Sequence, residues 1–300
     1  MSKVGFIGLG TIGGPMAERL LLAGHKISVF DVNADACISF RDRGGLISGN
    51  CEEMASTCDT IFLSLPGPPQ IEDVILGGDG LLTNNGSLHT IIDLSTNSLQ
   101  LNRTIAARAQ EENIAYLDAP VSGGKIAAKK GTLSVMVGGD ENSYNSSKPL
   151  IECFAEHIFY MGQSGTGTLT KLVNNQIFLA ASVLIQEGFV MGAKAGMDPN
   201  ALLEVLKVSS AGSLLERAPL ILSKKFDLNV FALSIAEKDL TVALQSASDI
   251  GASMPMTEAS REIYRKASAK GLGKEDFFAT VKVLEEIAEC SLHELKKPNP

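Results

Sequence analysis

The sequence predicts two domains: an N-terminal α/β domain built on a doubly wound parallel sheet, then an all-α C-terminal domain. Three observations predict it. Short apolar runs alternate with helical patterns through the first half of the 300 residues, as strands and crossover helices of a parallel sheet do. A glycine fingerprint follows the first of those runs. Beyond the Gly-rich break "GQSGTGT" (162–168), long helical patterns continue with no convincing strand run.

The strand candidates come in order. "KVGFIG" (3–8), "KISVFD" (26–31), "TIFLSL" (60–65), "HTIIDL" (89–94) and "IAYLDA" (114–119) are apolar on both faces, as strands covered by helices must be. "GTLSVMVGGD" (131–140) alternates in part and predicts a further strand, and "HIFYMG" (157–162) is placed to close the sheet. Helices are predicted between them at 13–24, 34–43, 70–76 and 98–111. After the break they are predicted at 168–195, 199–208, 231–250, 255–270 and 275–292. "GMDPN" (196–200) stops one helix and starts the next, with Asp198 as N-cap and Pro199 at the first helical position. The domains are therefore set at 1–163 and 164–300, the second opening with a long interdomain helix. The tail "KKPNP" is expected to fray.

The bulk numbers exclude several partners. A net charge of −8 disfavours nucleic acid or an anionic membrane, both of which need a basic surface. The "KK" pairs at 129–130 and 224–225 are read as solvated loops. The five cysteines (Cys37, Cys51, Cys58, Cys153 and Cys290) form no CxxC pair, and an odd number suits no closed disulfide framework. They are read as reduced thiols of a cytoplasmic protein. The four histidines are scattered, so no metal site is expected. A strand from Lys3 leaves no room for a signal peptide. The apolar stretch 172–195 is interrupted by Asn174, Asn175, Gln176, Gln186 and Glu187, a poor membrane span. The apolar helices of the second domain predict self-association, as a homodimer or homotetramer.

The fingerprint is Gly8-x-Gly10-x-x-Gly13, between the first strand and first helix. Gly8 permits the tight turn, Gly10 lets the backbone approach a pyrophosphate, and Gly13 allows close helix–strand packing. Thr11 and Ile12 belong to the same cofactor-binding turn. The helix N-terminus then offers free N–H groups to the anion. Asp31 ends the second strand, 23 positions after Gly8. An acid there accepts hydrogen bonds from a ribose diol and repels a 2′-phosphate, and no arginine follows it directly. The context is that of a Rossmann-like dinucleotide domain, with NAD preferred over NADP.

Other candidates follow strands, where ligands bind in open α/β sheets. Leu65, Pro66, Ser95 and Thr96 are placed to line the cofactor, although Ser95, Thr96, Asn97 or Ser98 could equally cap a helix. Ser122, Gly123 and Gly124 offer a hydroxyl and backbone N–H groups to an anion such as a carboxylate, or form a glycine turn. Lys171 and Asn175 are four apart and share a helix face, with Asn174 turned away. A lysine in a cleft between domains can exchange a proton with a reacting oxygen; one at a helix start can also snorkel to solvent. Lys238 and Asp239 form either a solvated face or a reach toward cofactor and substrate.

Together "GFIGLGTIGGPMA" (5–17), "DAPVSGGKIAAKKGTLSVMVGGD" (118–140), "GTGTLTKLVNN" (165–175) and "KDL" (238–240) resemble the β-hydroxyacid dehydrogenase family across nearly the whole chain. The resemblance implies a small 3-hydroxy acid and its semialdehyde as substrates. It implies Lys171 as general acid/base, Ser122, Gly123 and Gly124 on the substrate carboxylate, and Asn175 on the reacting oxygen. It places Thr96 near the nicotinamide and Lys238 on the cofactor side. Ile12 stands where the family motif usually has Met, and Arg19 where Asn is frequent. Segment 209–233 is where members differ and is expected to shape the substrate pocket. Two rivals remain: an imine reductase of the same architecture, which generally carries a different residue at the lysine position, and a catalytically silent NAD-binding scaffold that recruits protein partners.

Overall fold

The computed structural model describes residues 3–83, 86–227 and 231–292. The tail predicted to fray lies outside them, as do residues 228–230 of the segment 209–233. Among the described residues nine strands form one sheet: β1 (Lys3–Ile7), β2 (Lys26–Phe30), β3 (Leu46–Ile47), β4 (Thr60–Leu63), β5 (Thr90–Asp93), β6 (Ala115–Asp118), β7 (Val121–Ser122), β8 (Leu133–Gly138) and β9 (Ala155–Gly162). The order β3-β2-β1-β4-β5-β6 is parallel throughout. β8 departs from the predicted parallel sheet: it runs antiparallel to β6 and β7, and parallel to β9. Asp118 pairs with Gly138 and Val121 with Val135, one continuous register. So β6 and β7 are a single strand interrupted at Ala119 and Pro120, where proline has no N–H to give the ladder.

Alternation along the strands builds two cores. Phe6, Phe62, Ile92 and Leu117 pack on one face. Ile7, Ile61, Leu63, Ile91 and Tyr116 pack on the other, as period-2 side chains must. The faces are covered by α1 (Gly13–Leu22), α2 (Ala34–Arg41), α3 (Cys51–Thr57), α4 (Pro68–Leu76), α5 (Leu99–Glu111), α6 (Gly124–Lys130) and α7 (Glu141–Ile151). β3, β7, α3, α6 and α7 were not legible in the sequence. The first four are too short for their periodicity to register, and α7 carries Pro149 among serines.

The second half has α8 (Thr166–Lys194), α9 (Pro199–Lys207), α10 (Ala218–Ser223), α11 (Leu233–Asp249), α12 (Pro255–Ala269) and α13 (Val281–Ala288). The helix expected at 275–292 is two pieces. Asp276 accepts the Phe278 N–H at 3.2 Å and opens a 3-10 turn, Phe277–Thr280, before α13 begins. Leu179, Phe189, Leu240, Tyr264 and Phe277 centre this core. The chain divides into two compact units between Leu172 and Val173, inside α8. By length and composition α8 could cross a membrane. Its buried polar residues have protein partners instead: Gln186 donates to Ser182 at 3.1 Å and accepts from Thr280 at 2.9 Å.

Candidate active site

The glycine turn is fixed by contacts no side chain would tolerate. Gly8 has φ +94°, and a Cβ there would stand 2.3 Å from the Ser64 carbonyl oxygen. A Cβ at Gly13 would stand 2.0 Å from the Gly8 carbonyl oxygen, so α1 starts hard against the turn. At Gly10 nothing lies within 4 Å of that position, and the backbone is open to an incoming group. No side chain caps α1 at Ile12. Gly14 and Met16 give their N–H groups to the Gly10 and Ile12 carbonyls and Pro15 has none, so the Gly13 N–H is the first-turn donor left for an anion. Thr11 is exposed and Ile12 half-buried.

Asp31 follows β2. Its carboxylate accepts the Leu9 N–H at 2.6 Å and the Asn33 N–H at 2.7 Å, so the acid is fastened to the glycine turn. Val32 beside it is 98% exposed. After β4, Leu65 is half-buried and Pro66 exposed. The Leu65 N–H donates to Ser95 Oγ at 2.9 Å. Ser95 is therefore a tie between the loops after β4 and β5. The cap of α5 is Ser98, which accepts the Leu101 N–H at 3.2 Å. Thr96 lies half-buried between them. Ser122 ends β7, and Gly123 and Gly124 follow with φ of +129° and +70°. A Cβ at Gly124 would meet nothing within 4 Å.

The start of α8 is seated on this same end of the sheet. Gly165 precedes it and has no side chain to cap with. Asp118, at the end of β6, supplies the cap: its two carboxylate oxygens accept the Gly165 and Thr168 N–H groups, each at 2.7 Å. Asn102 Nδ2 donates to Thr168 Oγ1. Asn102 Oδ1 accepts from Asn97 at 2.8 Å and lies 2.6 Å from the Tyr116 hydroxyl, which also lies 3.0 Å from Asp93. Burial pushes the Asp93 and Asp118 carboxyls each up to about 6, because desolvation disfavours the charged form. Lys171, half-buried, follows Thr168 by three positions on α8. None of Asp93, Asn102, Tyr116 and Thr168 stood out in the sequence. The available signal was an acid closing an apolar strand, at both Asp93 and Asp118: a buried acid needs partners.

The second unit holds its own polar group. Asn175, 5% exposed, donates to Asp239 at 2.6 Å and accepts from Asn174 at 2.9 Å. Lys238 stands 2.7 Å from Asp239 as an ion pair. Asp239 is buried rather than on a solvated face. Of the basic pairs, Lys129 and Lys130 are exposed, while Lys224 pairs with Glu285 at 2.6 Å. Arg19 donates to the Cys153 carbonyl at 3.0 Å, tying α1 to the chain after α7.

Residues 3–162 match the family model described as the NAD binding domain of 6-phosphogluconate dehydrogenase. Residues 165–284 match the one described as NAD-binding of NADP-dependent 3-hydroxyisobutyrate dehydrogenase. The chain is 36% identical over 295 residues to a 2-hydroxy-3-oxopropionate reductase of Escherichia coli K12, covering 97% of this chain and 99% of that one. It is 34% identical to a 2-(hydroxymethyl)glutarate dehydrogenase of Eubacterium barkeri, over 97% of each. A solved 3-hydroxyisobutyrate dehydrogenase of Mycobacterium tuberculosis, with L-serine, superposes with a TM-score of 0.86 at 27% identity, over 95% of this chain and 99% of that one. An imine reductase from Pseudomonas sp. shares the fold, with a TM-score of 0.61 at 21% identity over 94% and 99%.

Proposed function

The chain belongs to the β-hydroxyacid dehydrogenase family, and from that premise we propose that it interconverts a small 3-hydroxy acid and its semialdehyde, using NAD. One observation carries the reading. The loops after β1, β2, β4 and β5 bear Gly10, Asp31, Leu65 and Thr96, Ser122 is the last residue of β7, and the end of β6 seats the helix start that leads to Lys171. That is the carboxyl end of the parallel strands, where open α/β sheets bind ligands.

The open backbone at Gly10 and the uncapped start of α1 fit a pyrophosphate, with Gly8, Thr11, Ile12, Gly13, Leu65, Pro66 and Lys238 assigned to the dinucleotide. Bound there, a nicotinamide supplies or accepts the hydride. Ser122 Oγ and the N–H groups of Gly123 and Gly124 hold the substrate carboxylate. Lys171 gives a proton to the carbonyl oxygen in reduction and takes it from the hydroxyl in oxidation. Asn175 is assigned to that oxygen; its amide has a second N–H besides the one given to Asp239. Asp31 favours NAD, since its charge opposes a 2′-phosphate and Val32 and Asn33 offer no cation. Residues 1–163 are assigned to the dinucleotide, and 164–300 to substrate and self-association. The five free cysteines fit a reducing cytoplasm.

The test is turnover of a panel of 3-hydroxy acids and 2-hydroxy-3-oxopropionate with each dinucleotide, on the wild type and Lys171→Ala. The variant is expected to bind NADH as the wild type does and to lose kcat by at least about a hundredfold. Near-wild-type turnover by it removes the mechanism. Higher kcat/KM with NADPH removes the cofactor choice.

A further inference from the structure

We propose that Asp118 is a positioning residue for the reaction: from the end of β6 it fixes the first turn of α8, and with it Lys171, relative to the carboxylate grip at Ser122–Gly124. The inference rests on the reading of Lys171 and Ser122 just given.

A helix that begins with Thr-x-Thr after glycine has no side chain of its own at the N-cap. In a capping box, one side chain takes the N–H at the third helical position and a second takes the N–H of the cap residue. Here the Asp118 carboxylate does both in trans, accepting Gly165 and Thr168 at 2.7 Å each. Asp118 is 1% exposed, so these bonds are shielded from water. The same turn is clamped sterically. A Cβ on Gly167 would stand 2.4 Å from the Asp118 carbonyl oxygen and 2.3 Å from that of Met136. The side chain of Thr168 is pinned separately by Asn102, which is itself bonded to Asn97 in the loop that carries Thr96.

The consequence for chemistry is geometric. Lys171 is three residues beyond the clamped Thr168, less than one helical turn. Ser122 is four residues beyond Asp118 along the interrupted β6–β7 strand. One carboxylate therefore stands between the proton carrier and the carboxylate grip, with short covalent and hydrogen-bonded paths to each. A shift of the helix start slides the amine relative to the bound substrate, and a misplacement near 1 Å costs on the order of a hundredfold in rate.

The experiment is Asp118→Asn in the full chain. Asn keeps the shape, but an NH2 then faces one of the two backbone N–H groups. Three readouts are taken: NADH affinity by fluorescence, steady-state reduction of 2-hydroxy-3-oxopropionate with NADH and with its hydride-deuterated form, and hydrogen exchange of the peptide spanning 163–175. Expected are a kcat lower by about tenfold to a hundredfold, a larger isotope effect on kcat, unchanged NADH affinity, and faster exchange confined to that peptide. Unchanged exchange at 163–175 overturns the proposal, whatever the activity. So does faster exchange with unchanged kcat, or an NADH affinity that falls as much as kcat. Should Asp118→Asn not fold, Asp118→Glu keeps two acceptor oxygens but displaces them by a methylene from the Gly165 and Thr168 N–H groups. It is expected to give the same pattern more weakly, and normal exchange and kcat overturn the proposal. Lys171→Ala separates the two levels. If it is inactive while Asp118→Asn is normal, only the positioning role fails; if it is active, the site reading fails and this inference with it.

Discussion

Gly10 and Gly13 are two glycines of one motif with opposite physics. Gly13 is required by the fold, since its Cβ would overlap the Gly8 carbonyl. Gly10 has open space around it and is required only if something binds there. Gly10→Ala is therefore expected to keep its stability within about 1 kcal/mol, while NADH affinity falls at least about tenfold. Gly13→Ala is expected to lose more than about 2 kcal/mol, as overpacking against backbone does. Chemical denaturation and NADH titration of both variants check the pair. Unchanged NADH affinity in Gly10→Ala means that the open backbone is not the phosphate site. The spacing made this motif legible, because its constraints lie within a few residues. Asp31 was legible in the same way. What could not be read was that Asp31 also fastens the Leu9 N–H, so Asp31→Ala is expected to loosen the glycine turn apart from any effect on the proposed preference for NAD.

Helix starts divide in the same way at the scale of elements. Asn33, Ser98, Asp140 and Asp198 each accept an N–H two or three residues ahead, a local signature visible in sequence. The start of α8 has its cap on another strand, 47 residues before Gly165. No local pattern reveals that, and the sequence located Lys171 without showing what holds it. Along α8 in the second unit, Val173, Ile177, Leu184 and Met191 lie within a 40° arc and are 47%, 59%, 62% and 74% exposed. An apolar stripe this long is a candidate for contact between copies of the chain, which supports the homodimer or homotetramer proposed above. Sedimentation of the wild type is expected to give a multiple of 31.7 kDa, and Leu184→Glu to move it toward the monomer. A monomeric wild type at micromolar concentration rejects self-association through this face.

For the molecule as a whole, the alternation of strand and helix, followed by long helical patterns alone, was enough to read the fold class, because layer and period are properties of long segments. The antiparallel turn of β8 was not legible, since alternation carries no strand direction. That turn closes a polar interior at the strand ends, and the interior makes a prediction about stability. Asp93 and Asp118 pair side by side in the sheet register. Burial raises both carboxyls from 3.8 to about 6 in the folded chain. A carboxyl raised on folding binds its proton more tightly in the native state, so its contribution to stability is present at low pH and is lost as pH rises through the folded value. Both groups therefore lower stability between about pH 4 and pH 6, by about 3 kcal/mol each at most. Above the pI of about 5.1 the growing negative charge adds self-repulsion in the same direction. Urea denaturation at pH 4.5, 5.5 and 6.5 is expected to show stability falling along that series, with a shallower fall in Asp93→Asn, which has no proton to lose. Stability that rises over this range, or a slope unaltered in Asp93→Asn, would mean that Asp93 is ionised throughout and that the hydrogen bonds from Ser95 and Tyr116 outweigh its burial.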